Sequence, residues 1–246
     1  MKYEINPLYK DKLEDFLLNI KSYFYDNHNT IHKARNELKI IAYDGIDTIV
    51  KSFKVPNFIN RIVYSFFRDS KAKKSYEYAL KIGDFTPTPI GYIEFYSTKL
   101  LKESYFISEK FSYDFTIREP LLDRNFEDRE AILRAFGLFS FQLHEAGIFH
   151  DDYSPGNILI KKNNDTYEFK IVDINRMKFF KFSTSDRAKS FAKLWAIDED
   201  LRIIGDEYIK HFSADKKFVD LICHYSLKNK KIKNFKKRLK GKEIDW

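Results

Sequence analysis

The feature that most limits what this chain can fold into is the run of elements around residues 127–173. The stretch Glu127–Ala146 predicts a long helix, with Ala131, Ile132, Ala135, Phe136, Phe139 and Leu143 on one face and Gly147 at its end. It leads into His150-Asp151-Asp152-Tyr153-Ser154-Pro155-Gly156-Asn157, and then into two short apolar runs, Asn157–Ile160 and Phe169–Asp173, that read as strands. Phosphoryl transfer needs a carboxylate to orient an attacking hydroxyl and accept its proton, and oxygen ligands to hold Mg²⁺ against nucleotide phosphates. Asp152 meets the first need. Asn157 and Asp173 meet the second, and the asparagine adds no further negative charge beside a triphosphate. Taken alone, Asp-Tyr-Ser-Pro-Gly-Asn is also ordinary turn material. The second acid, at the end of a strand, favours the functional reading, and so does the upstream sequence.

Upstream, residues 8–24 are helix-like. Leu38–Tyr43 and Thr48–Phe53 are β-like runs joined by the hairpin signal Asp44-Gly45, and a further strand is expected around Ile31–Lys33. Asn57–Phe67 is amphipathic at helical spacing. Ser70–Ile82 fits a helix closed by Gly83, and Ile90–Tyr96 and Tyr105–Glu109 fit strands. Lys51 lies among apolar residues near the end of its strand, placed to reach phosphates as a point charge. Lys54 is its rival, but alternation puts Lys51 and Phe53 on one face and Lys54 on the other. Glu77, on the following helix, is the candidate to orient the lysine; with Lys73, Lys74 and Lys81 beside it, it also reads as a solvated helix acid.

The 246 residues are long enough to bury a core, and 43% hydrophobic with 33% charged residues is a globular balance. No apolar run reaches the roughly 18 residues of a membrane helix. No signal-peptide core follows Met1-Lys2-Tyr3-Glu4, so a cytoplasmic location is expected. The single cysteine, Cys223, excludes an internal disulfide and a cysteine-based zinc site, and reads as a buried thiol. His28, His32, His211 and His224 have no metal-ligand spacing. The formal charge of +8 is concentrated: residues 228–246 carry +7 and residues 51–81 carry +6, leaving a body of −5.

The order strand lysine, helix glutamate, His-x-Asp-x-x-x-x-Asn, strand aspartate resembles the protein-kinase-like fold over roughly residues 30–200. His150-Asp151-Asp152 stands where that family has His-Arg-Asp, and Asp173-Ile174-Asn175 where it has Asp-Phe-Gly. The resemblance implies an α+β, two-lobed molecule: a β-rich N-lobe over 1–110 and a compact, mostly helical C-lobe over 111–246. It implies Lys51 on the α/β-phosphates with Glu77 as its partner, Asp152 as catalytic base, and Asn157 and Asp173 on Mg²⁺. It also implies a hinge over Tyr105–Phe111, with Glu109 and Phe111 meeting adenine through the backbone, and ATP between the lobes. There are departures. Lys33-Ala34-Arg35-Asn36 stands where a glycine-rich loop is expected, no Ala-Pro-Glu motif follows Asp173, and only 73 residues remain after it. Asp151 replaces the arginine that in many protein kinases meets a phosphorylated activation loop, so that regulation is not expected.

Within that group Lys51-Ser52-Phe53-Lys54-Val55-Pro56-Asn57, Ser70–Ala79 and Asp173-Ile174-Asn175-Arg176-Met177 are similar to the bacterial lipopolysaccharide kinase family, which includes Kdo and core-heptose kinases. This implies ATP- and Mg-dependent phosphorylation of a sugar hydroxyl on a lipopolysaccharide inner core such as Kdo-lipid A, at the cytoplasmic membrane face. The alternatives are an atypical protein kinase, a small-molecule kinase, and a pseudokinase acting as a binding or scaffold protein. His150 is expected to support its loop rather than transfer a proton. Arg176 is open between touching substrate and pairing with an acid such as Asp151. The basic C-terminal segment, with Ile232, Phe235 and Leu239 on one helical face, fits packing on the body, an anionic membrane surface or a solvated helix. Nucleic acid is not the expected partner, since no reading motif accompanies the charge.

Overall fold

The computed structural model of the chain describes residues 1–33, 36–53, 64–65, 67–213, 216–241 and 243. Lys54, the amphipathic segment 57–63 and Ala34-Arg35 of the glycine-free turn lie outside them. The chain mixes helix and sheet and divides into two compact units. Residues 1–112 with 173–175 form one, and 113–172 with 176–246 the other.

The first unit is built on an antiparallel six-stranded sheet in the order β1-β5-β6-β4-β3-β2. Its strands are β1 (Lys2–Ile5), β2 (Thr30–Lys33), β3 (Asn36–Tyr43), β4 (Ile46–Phe53), β5 (Pro89–Ser97) and β6 (Leu100–Glu109). β3 and β4 are joined by the expected two-residue turn, with Asp44 and Gly45 both at positive φ, the primed geometry that matches strand twist. Thr98 and Lys99 make the same turn between β5 and β6 without a glycine, which hides it from a composition-based reading. β1 was not expected; its four residues are polar enough to read as chain terminus, and only pairing with β5 makes them a strand.

Alternation along the strands gives the sheet two apolar faces. Val50, Ile93, Tyr105 and Ile107 meet Leu13, Phe16, Leu17, Ile20 and Phe24 from the helices α1 (Lys10–Leu18) and α2 (Ile20–Asp26). The expected single helix over 8–24 is thus two, broken at Asn19, whose side-chain amide turns back to Asp15. Phe53, Tyr92 and Phe106 meet Ala72 and Tyr76 of α3 (Lys71–Ile82). That helix starts where Ser70 caps the Lys73 amide and stops at Gly83.

The second unit centres on α5 (Arg129–Glu145), preceded by the short α4 (Arg118–Leu122) and followed by α6 (Thr184–Ser190), α7 (Asp198–His211) and α8 (Lys216–Arg238). The buried face of α5 holds Ile132, Leu133, Phe136, Phe139 and Leu143; Ala131, expected there, is exposed. Three short strands, β7 (Phe115–Thr116), β9 (Ile158–Asn163) and β10 (Thr166–Ile171), form one sheet, and β8 (Ile148–His150) pairs with β11 (Met177–Phe179). β7, β8 and β11 are two or three residues long, below the length at which alternation is legible. The sequence over 184–200 reads as one helix, but the helix ends at Ser190, passes through a 3-10 turn and breaks at Trp195, which has φ +59°. The sequence reads as two helical segments, 215–227 and a basic one from 228; the structure joins them in one continuous helix, α8.

Candidate active site

Within the first unit, Lys51 lies on β4 paired with Leu38 and Phe106, on the sheet face covered by α3. Its side chain is 13% exposed and its Nζ lies 2.6 Å from Asp173 Oδ1. Asn175 Nδ2 donates to the same oxygen at 2.8 Å. Asp173 itself has φ +59°, a left-handed conformation that costs a non-glycine residue of order 1 kcal/mol and is found at sites where the surroundings hold it. So Lys51 and Asp173, 122 residues apart, are brought together.

Glu77 is not brought to Lys51. It lies one helical turn from Lys73, with Oε1 3.6 Å from that lysine's Nζ, and is 42% exposed. The reason is local: an i,i+4 lysine competes for the carboxylate at no cost in chain ordering. Glu109 ends β6; its amide donates to the Thr88 carbonyl at 2.9 Å, so that donor is committed within the sheet. Phe111, two residues further on, is half-buried.

Within the second unit, β8 delivers His150 to the start of the loop by pairing with Met177 of β11. His150 is 4% exposed and both ring nitrogens are engaged. The Asp152 amide donates to Nδ1 at 3.1 Å, which assigns the proton to Nε2, and Nε2 donates to the Val172 carbonyl at 2.9 Å. A ring so held is a brace, not a proton shuttle. Asn157 Nδ2 donates to the Asp152 carbonyl at 2.9 Å and to Ser154 Oγ at 3.1 Å. Those bonds spend the amide nitrogen on the loop and leave Oδ1 as the head atom for a ligand. The Val172 amide closes the turn on the Asn157 carbonyl at 2.9 Å. No described residue bonds the Asp152 carboxylate.

Beneath the loop, Tyr153 is fully buried against Phe136 with its hydroxyl 2.9 Å from Ser140 Oγ, and burial pushes its phenol far above the ordinary range. Asp151 points elsewhere: its carbonyl accepts from Lys193 Nζ and its carboxylate lies 3.6 Å from Lys178. Arg176, considered as a partner for Asp151, is exposed instead. Lys193 and Lys178 were missed by sequence reading. Nothing in a lone lysine signals that it will hold a loop 42 residues away.

Among the described residues no cluster of three or more His, Cys, Asp or Glu side chains could hold a metal ion. The donors available, an amide oxygen and a carboxylate, are hard oxygens of the kind Mg²⁺ takes when phosphates and water supply the remaining ligands.

Residues 116–210 match the sequence model of the lipopolysaccharide kinase (Kdo/WaaP) family. No curated protein matches the chain by sequence. Among solved structures, a structure of WaaP in complex with acyl carrier protein superposes with a TM-score of 0.59 at 15% identity, covering 94% of this chain and 99% of that one. At that identity the likeness shows a shared fold. The segment that holds Asp152, Asn157 and Asp173 is thus similar to the lipopolysaccharide kinase (Kdo/WaaP) family.

Proposed function

We propose that the chain transfers the γ-phosphate of ATP to a sugar hydroxyl, on Kdo or heptose, of a lipopolysaccharide inner core. On this reading the two units are the N-lobe and C-lobe of a protein-kinase-like molecule, with the boundary near residues 110–111. The single observation that carries the proposal is the loop 150–157. Its asparagine amide and its histidine are both used to hold the backbone around Asp152, while no described residue bonds the Asp152 carboxylate. A carboxylate prepared in this way is suited to orient a hydroxyl and take its proton.

Asn157 Oδ1 and the Asp173 carboxylate would hold Mg²⁺, which when bound neutralises charge on the phosphates. Lys51 would exchange Asp173 for the α/β-phosphates, and Glu77 would have to leave Lys73 to orient it. An adenine contact at Glu109 would fall to its carbonyl, since its amide is committed; Phe111 would supply the second backbone contact. Catalysis would rest on positioning and charge neutralisation.

The acceptor is lipid-linked, and the C-terminal helix supports a peripheral place on the anionic cytoplasmic face of the inner membrane. The residues of α8 that are buried, Phe218, Val219, Ile222, Cys223 and Ser226, lie on one face. Ile232, Phe235 and Leu239 are 46%, 61% and 71% exposed. At 100° per residue they form a stripe about 140° round the helix from that buried face. Packing on the body therefore does not account for them. Lysines 228, 231, 233 and 236 and Arg238 are exposed around the stripe, the charge that attracts anionic lipid.

Incubation with Mg-ATP and lipid A carrying Kdo, followed by mass spectrometry of the lipid, tests the reading. A gain of one phosphate that is lost in Asp152→Asn is expected. Phosphate on protein but not on the lipid would favour the atypical protein kinase. ATP binding without transfer to any acceptor would favour the pseudokinase.

A further inference from the structure

Arg118 was not singled out by the sequence, and the structure gives it a distinctive place. It opens α4, and its backbone is fixed from three sides. Ile117 is fully buried and its amide donates to the Ile158 carbonyl at 3.1 Å. The Arg118 amide donates to Thr116 Oγ1 at 3.3 Å, and Thr116 Oγ1 donates to Glu119 at 2.6 Å. Since Ile158 directly follows Asn157, the base of Arg118 is tied to the strand that leaves the 150–157 loop.

The side chain lies back over that loop. A Cβ built on Gly156 would sit 2.7 Å from Arg118 Nη2 and 3.4 Å from Cζ. The guanidinium thus lies against the backbone of Gly156, one residue before Asn157. In the same unit Arg124, Arg129, Arg134, Arg187 and Arg202 each hold a carboxylate. Arg118 is exposed, and no described residue bonds its guanidinium. A guanidinium fixed at its base, lying on a glycine and bonded by no described residue is arranged to receive an anion from outside. Its planar fork matches a carboxylate or a phosphate with two parallel hydrogen bonds.

We infer that Arg118 binds an oxyanion of the sugar acceptor, its carboxylate or a phosphate it already carries, and so sets the acceptor hydroxyl against Asp152. This rests on the kinase reading above and names the chemistry its acceptor must offer. The rival source of the same chemistry is the nucleotide, and kinetics separates the two.

The experiment measures steady-state transfer from Mg-ATP to Kdo-lipid A by wild type, Arg118→Ala and Arg118→Lys, with thermal midpoints recorded for each. Arg118→Ala is expected to raise the acceptor KM about tenfold, the scale of one charge-assisted bond at an exposed site, with the KM for ATP and the thermal midpoint unchanged. Lysine should restore part of the loss. Repeating the comparison with the Kdo carboxylate esterified, and with the lipid dephosphorylated, should bring the ratio of wild type to Arg118→Ala towards one for whichever anion Arg118 reads. An unchanged acceptor KM, or a rise confined to ATP, overturns the inference while leaving the kinase reading intact. Failure of wild type to phosphorylate the lipid overturns both.

Discussion

At the scale of single residues, Asp152 and His144 make contrasting predictions. Asp152→Ala is expected to lower turnover by about 10²- to 10⁴-fold, the usual worth of a general base, with nucleotide affinity retained. Equal loss of ATP binding, measured by calorimetry, would count against its role as base. His144 carries no chemistry but links stability to pH. It is 2% exposed on α5, with Nδ1 2.9 Å from the Tyr208 hydroxyl, which itself accepts from Arg187. Burial first, and the Arg187 charge second, push the imidazole down to about 3. The unfolded chain takes up this proton below about pH 6.5, while the folded chain stays neutral. The stability contribution is therefore full above pH 6.5 and lost as pH falls from there towards 3, by up to about 1.4 kcal/mol per pH unit. The urea midpoint should drop between pH 7 and pH 5, and His144→Gln, which keeps an acceptor for Tyr208, should flatten that slope.

Two elements make predictions of their own. The first is the N-terminus of α3, where Ser70 Oγ accepts from the Lys73 amide at 3.1 Å and Ser70 is 2% exposed. Ser70→Ala should cost about 1 kcal/mol in chemical denaturation. The second is α8, whose last three turns present an apolar stripe away from the body. Ile232→Asp with Phe235→Asp should abolish co-sedimentation with anionic vesicles and leave the thermal midpoint unchanged, since neither side chain is buried. A lowered midpoint would show that the stripe is covered in the folded molecule. Sequence reading of elements succeeded where period and punctuation agreed: α3 between Ser70 and Gly83, and β3 and β4 around Asp44-Gly45. It failed where an element exists only because a partner is present, as for β1, β7, β8 and β11, and where a helix stops for reasons outside its own pattern, as at Asn19 and Trp195.

Across the whole molecule, the formal +8 is not a diffuse basic surface. Much of it sits on the exposed turns of α8, so binding to anionic vesicles should weaken as ionic strength rises from 0.1 to 0.5 M, following the shortened Debye length. Binding that persists at high salt would assign the attachment to the apolar stripe alone. The acidic remainder includes Asp152 and Asp173, for which the proposed function assigns a divalent cation or a hydroxyl as partner.

By itself the sequence determined which residue types stand at which element ends: a lysine on a sheet strand, His-x-Asp-x-x-x-x-Asn after the long helix, and an aspartate after a short strand. Those follow from local period and turn chemistry, which act over a few residues. Partnership was decided by tertiary structure alone. Lys51 is held by Asp173 rather than Glu77, Asp151 by Lys178 and Lys193, and Arg118 lies on Gly156 with no anion among the described residues. A charged side chain takes its partner from whatever the packed backbone brings within a few ångströms, and that proximity is set by strand register and helix packing across tens of residues. No local pattern encodes it.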